Sequence, residues 1–389
     1  MKEKRFFKTL AATLAVIAAG ALFTATAAPV GAAASEPVHA ASKAAYVIEA
    51  ETGKVLYSRN ENERLQIASM VKIMTVLLSL EAESRGEIAF DEGIEISETA
   101  AGMGGSQVFL EAGTVHKFQD LLKTVIVASA NDSSVAIAER LGGSEAGFVK
   151  MMNSRAAELG MNDTLFSNAT GLPAAGQYST AADVSKMTAE LVKYDKYHEL
   201  SKIWLEDYVH PDGRITSITN TNKLVRFYKG CDGGKTGFTG EAGFCLSASA
   251  VRNGMRVIAT VAGAPTSKER NKEVSDLFDY AFAEYENKVI LEKGKPADVK
   301  VNVSKGKQNK LDITPARDLK VLAARGENPE YTLIYNLPDK VAAPVKAGDV
   351  IGEAVITYGG NSYKVPMLAA EDVEKAGFRD ILDKITGKK

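Results

Sequence analysis

The chain has few of the residues that build metal centres. Four histidines occur in 389 residues (His39, His116, His198 and His210), and no two stand three or four apart. The two cysteines, Cys231 and Cys245, have no histidine close by in sequence. The spacings that hold zinc are therefore missing, and no metal or other cofactor is expected. A surplus of positive charge is missing too. Lys plus Arg number 47 against 49 Asp plus Glu, a net charge of −2, so nothing in the composition calls for nucleic acid as a partner. Internal repeats and low-complexity stretches are absent. With 45% hydrophobic and 25% charged residues, disorder and collagen-like architectures are excluded. After residue 34 no stretch is long and apolar enough to cross a membrane. The length suits two domains, each able to bury a core.

What is present begins with a leader. Lys2, Lys4, Arg5 and Lys8 precede an uncharged run from Thr9 to Ala34, rich in Ala, Leu and Val. Small-x-small exits follow at Ala25-Thr26-Ala27, Ala32-Ala33-Ala34 and Val38-His39-Ala40. This is the pattern of a secretory signal peptide over residues 1–34, with cleavage as late as residue 40. An uncleaved anchor is the alternative, since the run is long enough to span. Export permits a disulfide.

Beyond the leader, residues 41–288 mix strands and helices. Ala45–Ile48 and Lys54–Tyr57 read as strands joined across Thr52-Gly53. Ser69–Ser84 reads as a mostly apolar, buried helix. Further helices are expected over 119–127, 133–141, 145–158 and 181–193. Phe244–Val251 and Met255–Ala262 flank Asn253-Gly254, a tight-turn dipeptide. Val274, Leu277, Phe278, Ala281, Phe282 and Tyr285 line one face of a long helix. Strands at both ends with helices between predict an α+β fold, one sheet assembled from distant parts of the chain and covered by helices. Residues 289–367 lose the helical period and read as a small all-β domain, a β-sandwich. Residues 368–389 turn helical again. Val373, Phe378, Ile381, Leu382 and Ile385 fall on one face, with Lys384, Lys388 and Lys389 near the end, a pattern suited to an amphipathic anchor on the membrane surface.

Three short motifs carry the chemistry. Ser69-Met70-Val71-Lys72 places a lysine one helical turn after a serine, within reach of its hydroxyl. A buried lysine beside a second cation loses its proton more readily, as a base must. Ser129-Ala130-Asn131 supplies a hydroxyl to relay a proton and an amide to hold a carbonyl; read structurally it is a helix cap. Lys235-Thr236-Gly237 suits an edge strand that binds a carboxylate, its glycine allowing close backbone approach; the structural reading is a lysine guarding a sheet edge. Each motif alone is weak, and Ser304-Lys305-Gly306-Lys307 matches the first without a plausible context. Their order and placement together form the signature of penicillin-binding proteins and serine β-lactamases. No histidine sits near them for a Ser-His-Asp mechanism.

The hairpin carrying Lys235 also bears on the cysteines. With its loop centred near Gly240, Lys235 faces Cys245 and Cys231 faces Ser249. That offset of four puts the two sulfurs too far apart to bridge.

The sequence resembles the low-molecular-mass penicillin-binding proteins, serine-type D-alanyl-D-alanine carboxypeptidases of the peptidase S11 kind. The resemblance rests on residues 68–75, Gly104-Gly105-Ser106 through Phe109-Leu110, residues 128–133, Thr170-Gly171-Leu172, residues 177–180 with Asp183, residues 235–239 and Glu269-Arg270. Among Gram-positive members it is most similar to the DacF-type branch, associated with sporulation. Two departures occur: Ile67-Ala68 stands where Pro-Ala is often found before the serine, and Ala130 where Gly is common. The resemblance implies a transpeptidase-like fold and a set of roles. Ser69 is the nucleophile on the penultimate D-Ala carbonyl of peptidoglycan pentapeptide stems, and Lys72 the base. Ser129 relays a proton, and Asn131 orients Lys72 and the substrate. Lys235, Thr236 and Gly237 bind the terminal carboxylate side. The backbone amides of Ser69 and Phe238 form the oxyanion hole, and Arg270 supports the carboxylate site. β-Lactams are the implied inhibitors, and the outer face of the cytoplasmic membrane is the implied location, reached through the C-terminal helix.

Two other readings stay open. A class A β-lactamase adds a Glu-x-x-x-Asn element, which Glu158–Asn162 matches, although that stretch reads as a helix end stopped by Asn162. A non-catalytic penicillin-binding sensor or scaffold would be expected to lack Lys72, Asn131 or Lys235, all of which are present.

Overall fold

A computed structural model of the chain describes Val38 and residues 40–380. The expected leader and the last nine residues of the expected anchor lie outside the described residues.

The sheet of the first domain is antiparallel, with strands in the order Val55–Arg59, Ala44–Glu49, Met255–Ala264, Gly243–Arg252, Cys231–Thr239. Local chemistry sets its turns. At Asn253-Gly254 both residues have positive φ, 50° and 72°, the pairing a two-residue hairpin of matching twist requires. At the first hairpin, the Glu49 carboxylate accepts hydrogen bonds from the Thr52 amide and hydroxyl. Alternation along the strands then makes two cores. Val47, Leu246, Ala248, Val257, Ala259 and Val261 face the helix Ser267–Glu284, which buries Val274, Leu277, Phe278 and Ala281. Ile48, Cys245, Ile258 and Ala262 face the remaining helices.

The helix Lys72–Ser84 runs through the middle of that second core, buried at every position from Lys72 to Ala82. Its apolar majority is what makes this burial favourable. Truncating Leu77, which is fully buried, to Ala would cost roughly 2–5 kcal/mol. The helix does not begin at Ser69 as its pattern suggests. A 3-10 turn, Ala68–Val71, precedes it, and Ala68 has φ 46°. The chain bends sharply there, so Ser69 sits at the bend with Lys72 opening the helix proper.

The hairpin register differs from the expected one. Thr239 pairs with Gly243, and the Thr239 hydroxyl accepts the Ala242 amide, closing a loop centred on Glu241. Lys235 therefore faces Ser247, Gly237 faces Cys245, and a bulge brings Cys231 opposite Ala250. The cysteines are nonetheless free and buried, and they belong to cores on opposite faces of the sheet. The stretch 158–162 does end a helix, Glu145–Glu158, but the left-handed residue that stops it is Gly160 (φ 66°) rather than Asn162.

From Tyr285 onward the chain is all β up to Ala369. A two-stranded ribbon pairs Tyr285–Leu291 with Leu319–Ala324. A six-stranded sheet runs in the order Thr332–Asn336, Val350–Tyr358, Asn361–Ala369, Lys310–Pro315, Lys300–Ser304, Lys340–Ala342. Its core includes Leu311, Ile313, Ile356, Val365 and Met367. The expected tail helix is corrected at its start. Ala369 ends a strand, and Val373 is buried in the β core, bridged to Val345. Lys375 bridges to Gly306, and helix begins only at Phe378. Val373 thus serves the β sheet and not an amphipathic face.

Candidate active site

Three pieces of chain meet at one end of the sheet: the bend at Ala68–Val71, the turn at Ser129–Asn131, and the strand Cys231–Thr239. Each motif found in the sequence lies on one of them.

Lys72 is fully buried, and its Nζ has three partners: Ser69 Oγ at 3.1 Å, Asn131 Oδ1 at 2.6 Å and the Thr170 carbonyl at 2.5 Å. The orientation of the Asn131 amide is set by its other end, where Nδ2 donates to the Gly104 carbonyl at 2.7 Å. Asn131 and Thr170 therefore both present acceptors to Lys72. A neutral amine has two N–H donors and one lone pair. The two acceptors take the donors and leave the lone pair for the Ser69 hydroxyl. Electrostatics favours the same state. Burial and the neighbouring Lys235 drive Lys72 well below the usual lysine range, with Asp132 opposing them.

Ser129 adopts φ 64°, a left-handed conformation uncommon outside glycine, and accepts a hydrogen bond from Lys235 Nζ at 2.8 Å. Lys235 also donates to the Thr236 carbonyl at 3.0 Å. Burial and the like charge of Arg270 bring Lys235 down to about 7. Gly237 lies against the bend at the nucleophile: a β-carbon there would meet the Ile67 carbonyl at 2.6 Å and the Ser69 amide nitrogen at 3.0 Å. That contact sets the Ser69 amide beside the strand that continues into Phe238. The Phe238 side chain is exposed and stacks on Phe244. Thr236 is buried in the same strand.

Arg270 is also buried, in the first turns of its helix, where burial lowers it to about 10. Its Nε and Nη2 donate to Asn271 Oδ1, and it acts on Lys235 through space. Ser69, Lys72, Ser129, Asn131, Lys235, Thr236 and Gly237 thus form one cluster, with Arg270 behind it. Ser304 of the decoy motif lies in the β domain, bonded to the Val341 carbonyl. Glu158, the element of the lactamase reading, is a surface residue paired with Arg155.

Several residues that shape the site were given no part by sequence reasoning. Thr170 supplies a backbone carbonyl to Lys72, and Asn168 folds that loop by accepting the Thr170 and Gly171 amides. Gly104 fixes the Asn131 amide. Asp132 is buried beside it. Main-chain acceptors leave no side-chain signature; only the Thr170-Gly171-Leu172 and Gly104-Gly105-Ser106 stretches marked these loops.

A half-buried serine paired with a buried lysine, set against an edge strand that carries a second lysine, defines an acyl-transfer site of the serine–lysine class. A family model described as D-alanyl-D-alanine carboxypeptidase, peptidase S11, matches residues 30–266, and one for the C-terminal domain of penicillin-binding protein 5 matches residues 285–375. The chain is 43% identical over 356 residues to D-alanyl-D-alanine carboxypeptidase DacF of Bacillus subtilis (strain 168), covering 91% of each. It resembles the crystal structure of a peptidoglycan synthesis regulatory factor (PBP3) from Streptococcus pneumoniae, with TM-score 0.74 and 28% identity over 86% of this chain and 100% of that one. Penicillin-binding protein D2 from Listeria monocytogenes, in an ampicillin-bound form, matches with TM-score 0.57 and 31% identity over 63% of this chain and 98% of that one. The chain belongs to the D-alanyl-D-alanine carboxypeptidase family, peptidase S11.

Proposed function

We propose that the protein is a serine-type D-Ala-D-Ala carboxypeptidase that trims peptidoglycan pentapeptide stems. The observation that carries this is the placement of Lys72 Nζ 3.1 Å from Ser69 Oγ, with two acceptors, Asn131 Oδ1 and the Thr170 carbonyl, as its other partners. Ser69 Oγ attacks the carbonyl carbon of the penultimate D-Ala while its proton passes to Lys72. The amides of Ser69 and Phe238 hold the developing oxyanion. Collapse of the tetrahedral intermediate breaks the peptide bond, and the leaving amine takes a proton through Ser129. The terminal D-Ala departs, and water hydrolyses the acyl ester. Lys235 and Thr236 bind the terminal carboxylate, and Asn131 holds Lys72 and the substrate amide. Arg270 adds positive charge behind Lys235. That chemistry suits a site whose buried basic groups Lys235 and Arg270 await an anion.

β-Lactams acylate the same serine, a reading supported by the ampicillin-bound relative. A hydrolytic lactamase is disfavoured because Glu158 is exposed and engaged with Arg155. Residues 41–288 form the catalytic domain and residues 289–367 the β domain. The enzyme acts outside the cytoplasm, with the chain from Phe378 resting on the outer face of the cytoplasmic membrane. Phe378 is 82% exposed, and Ile381, Leu382 and Ile385 continue its spacing.

Ser69→Ala tests the assignment. D-Ala release from a diacyl-Lys-D-Ala-D-Ala peptide and labelling by fluorescent penicillin should both be lost, while Ser304→Ala leaves both intact. Activity of the Ser69 variant within tenfold of wild type would overturn it.

A further inference from the structure

The carboxylate of Asp132 is fully buried and follows Asn131 directly. Its Oδ2 accepts the amides of Val108 at 3.0 Å and Leu110 at 3.2 Å, and its Oδ1 accepts the Ser133 amide at 2.8 Å. The segment it holds leads back to the site: the Ser106 carbonyl accepts the Asn131 amide at 2.7 Å, and the Gly104 carbonyl accepts Asn131 Nδ2. From the other side, Thr216 bonds the Val108 carbonyl at 3.4 Å, and Arg214 bonds the Phe109 carbonyl at 2.9 Å. Between these anchors Phe109 is kept at φ 64°, a conformation that persists only where the surroundings over-determine it.

We infer that Asp132 is a positioning residue of the acylation machinery: it fixes the 104–110 segment that aims the Asn131 amide at Lys72, and it places a buried negative charge beside the Lys72 amine. The inference rests on the carboxypeptidase reading above. Two effects follow. Without the clamp the Gly104 carbonyl drifts, the Asn131 amide can turn, and the Lys72 lone pair loses its aim at Ser69. Without the charge, Lys72 gives up its proton at lower pH. The groups facing Lys72 are Lys235 on the strand and Asp132 on the helix. Those that feel Asp132 from the outer side are His116 on the short strand Val115–Lys117, and Tyr208 and His210 on the neighbouring hairpin. Burial lowers both histidines and raises the tyrosine; losing the Asp132 anion lowers all three, which takes the histidines further from ionising and brings the tyrosine back toward its ordinary value.

The test is the second-order rate of labelling by fluorescent penicillin between pH 5 and 9. Asp132→Asn keeps an amide oxygen for Val108 and Leu110 but removes the charge and the Ser133 bond. The maximal rate should fall about tenfold, and the acid limb should move down by about one pH unit. Asp132→Ser should move the limb in the same direction with a larger loss of rate. A uniform loss with the limb in place would reduce Asp132 to loop packing, and an unchanged profile would remove it from the machinery. If neither variant melts cooperatively, the carboxylate is needed for folding and the inference falls. Wild-type protein that takes no label would instead sink the carboxypeptidase reading.

Discussion

Gly171 lies so close to Ala68 that a β-carbon on it would fall 2.0 Å from the Ala68 carbonyl oxygen. Its φ of 81° also belongs to the left-handed region. The loop that hands the Thr170 carbonyl to Lys72 is thus packed directly on the bend that presents Ser69. Gly171→Ala should separate the two, with at least the roughly 1–3 kcal/mol of a strained backbone against stability. Thermal melting should show a lower midpoint, and penicillin labelling should slow by more than tenfold. Wild-type labelling would mean that the bend tolerates displacement.

Lys72→Arg keeps a basic side chain and much of the bulk. A guanidinium stays protonated and offers no lone pair. Acylation should fall by about two to four orders of magnitude, the usual worth of a general base. Were Lys72 needed only as a cation, the variant would retain most of the labelling rate.

The alkaline side of the pH profile should report Lys235. It binds a carboxylate only while protonated, and in the free enzyme it loses its proton around pH 7. kcat/KM for D-Ala release should therefore decline as pH rises through that region. Arg270 depresses Lys235 by like charge, so Arg270→Gln raises the Lys235 pKa and moves the descending limb to higher pH. A limb that stays in place or moves down would show that Arg270 does not act on Lys235.

Deleting residues 378–389 should release the protein from the membrane fraction of cells and leave peptide hydrolysis intact. The cut must spare Val373, because that side chain completes the β core. Truncated protein that still sediments with membranes would rule out this segment as the anchor.

How far the sequence could be read depended on what each feature leaves in the side chains. The buried helix after Ser69, the Asn253-Gly254 turn and the long helix bearing Leu277 and Phe278 are patterns of residue type, and they reappear within a few positions. The three motifs likewise converge. Register was harder: the Thr239 side chain closes its loop one residue later than symmetry about Gly240 suggests, so the partners from Gly233 to Thr239 shift by two, and the bulge leaves Cys231 shifted by one. The tail misled because Val373 fits a helical period as well as a strand-like bridge. The Thr170 and Gly104 carbonyls were invisible, since any residue can supply one.

The sheet order has a consequence in time. The strand Ala44–Glu49 pairs with Met255–Ala264, and the strand carrying Lys235 follows Ser69 by more than half of the catalytic domain. A ribosome releases Ser69 and Lys72 early, yet nothing closes the central sheet until the late strands emerge. Until then the helix from Lys72, apolar almost throughout, has no sheet to cover it. A growing chain therefore passes through a long interval in which its nucleophile exists and its active site does not.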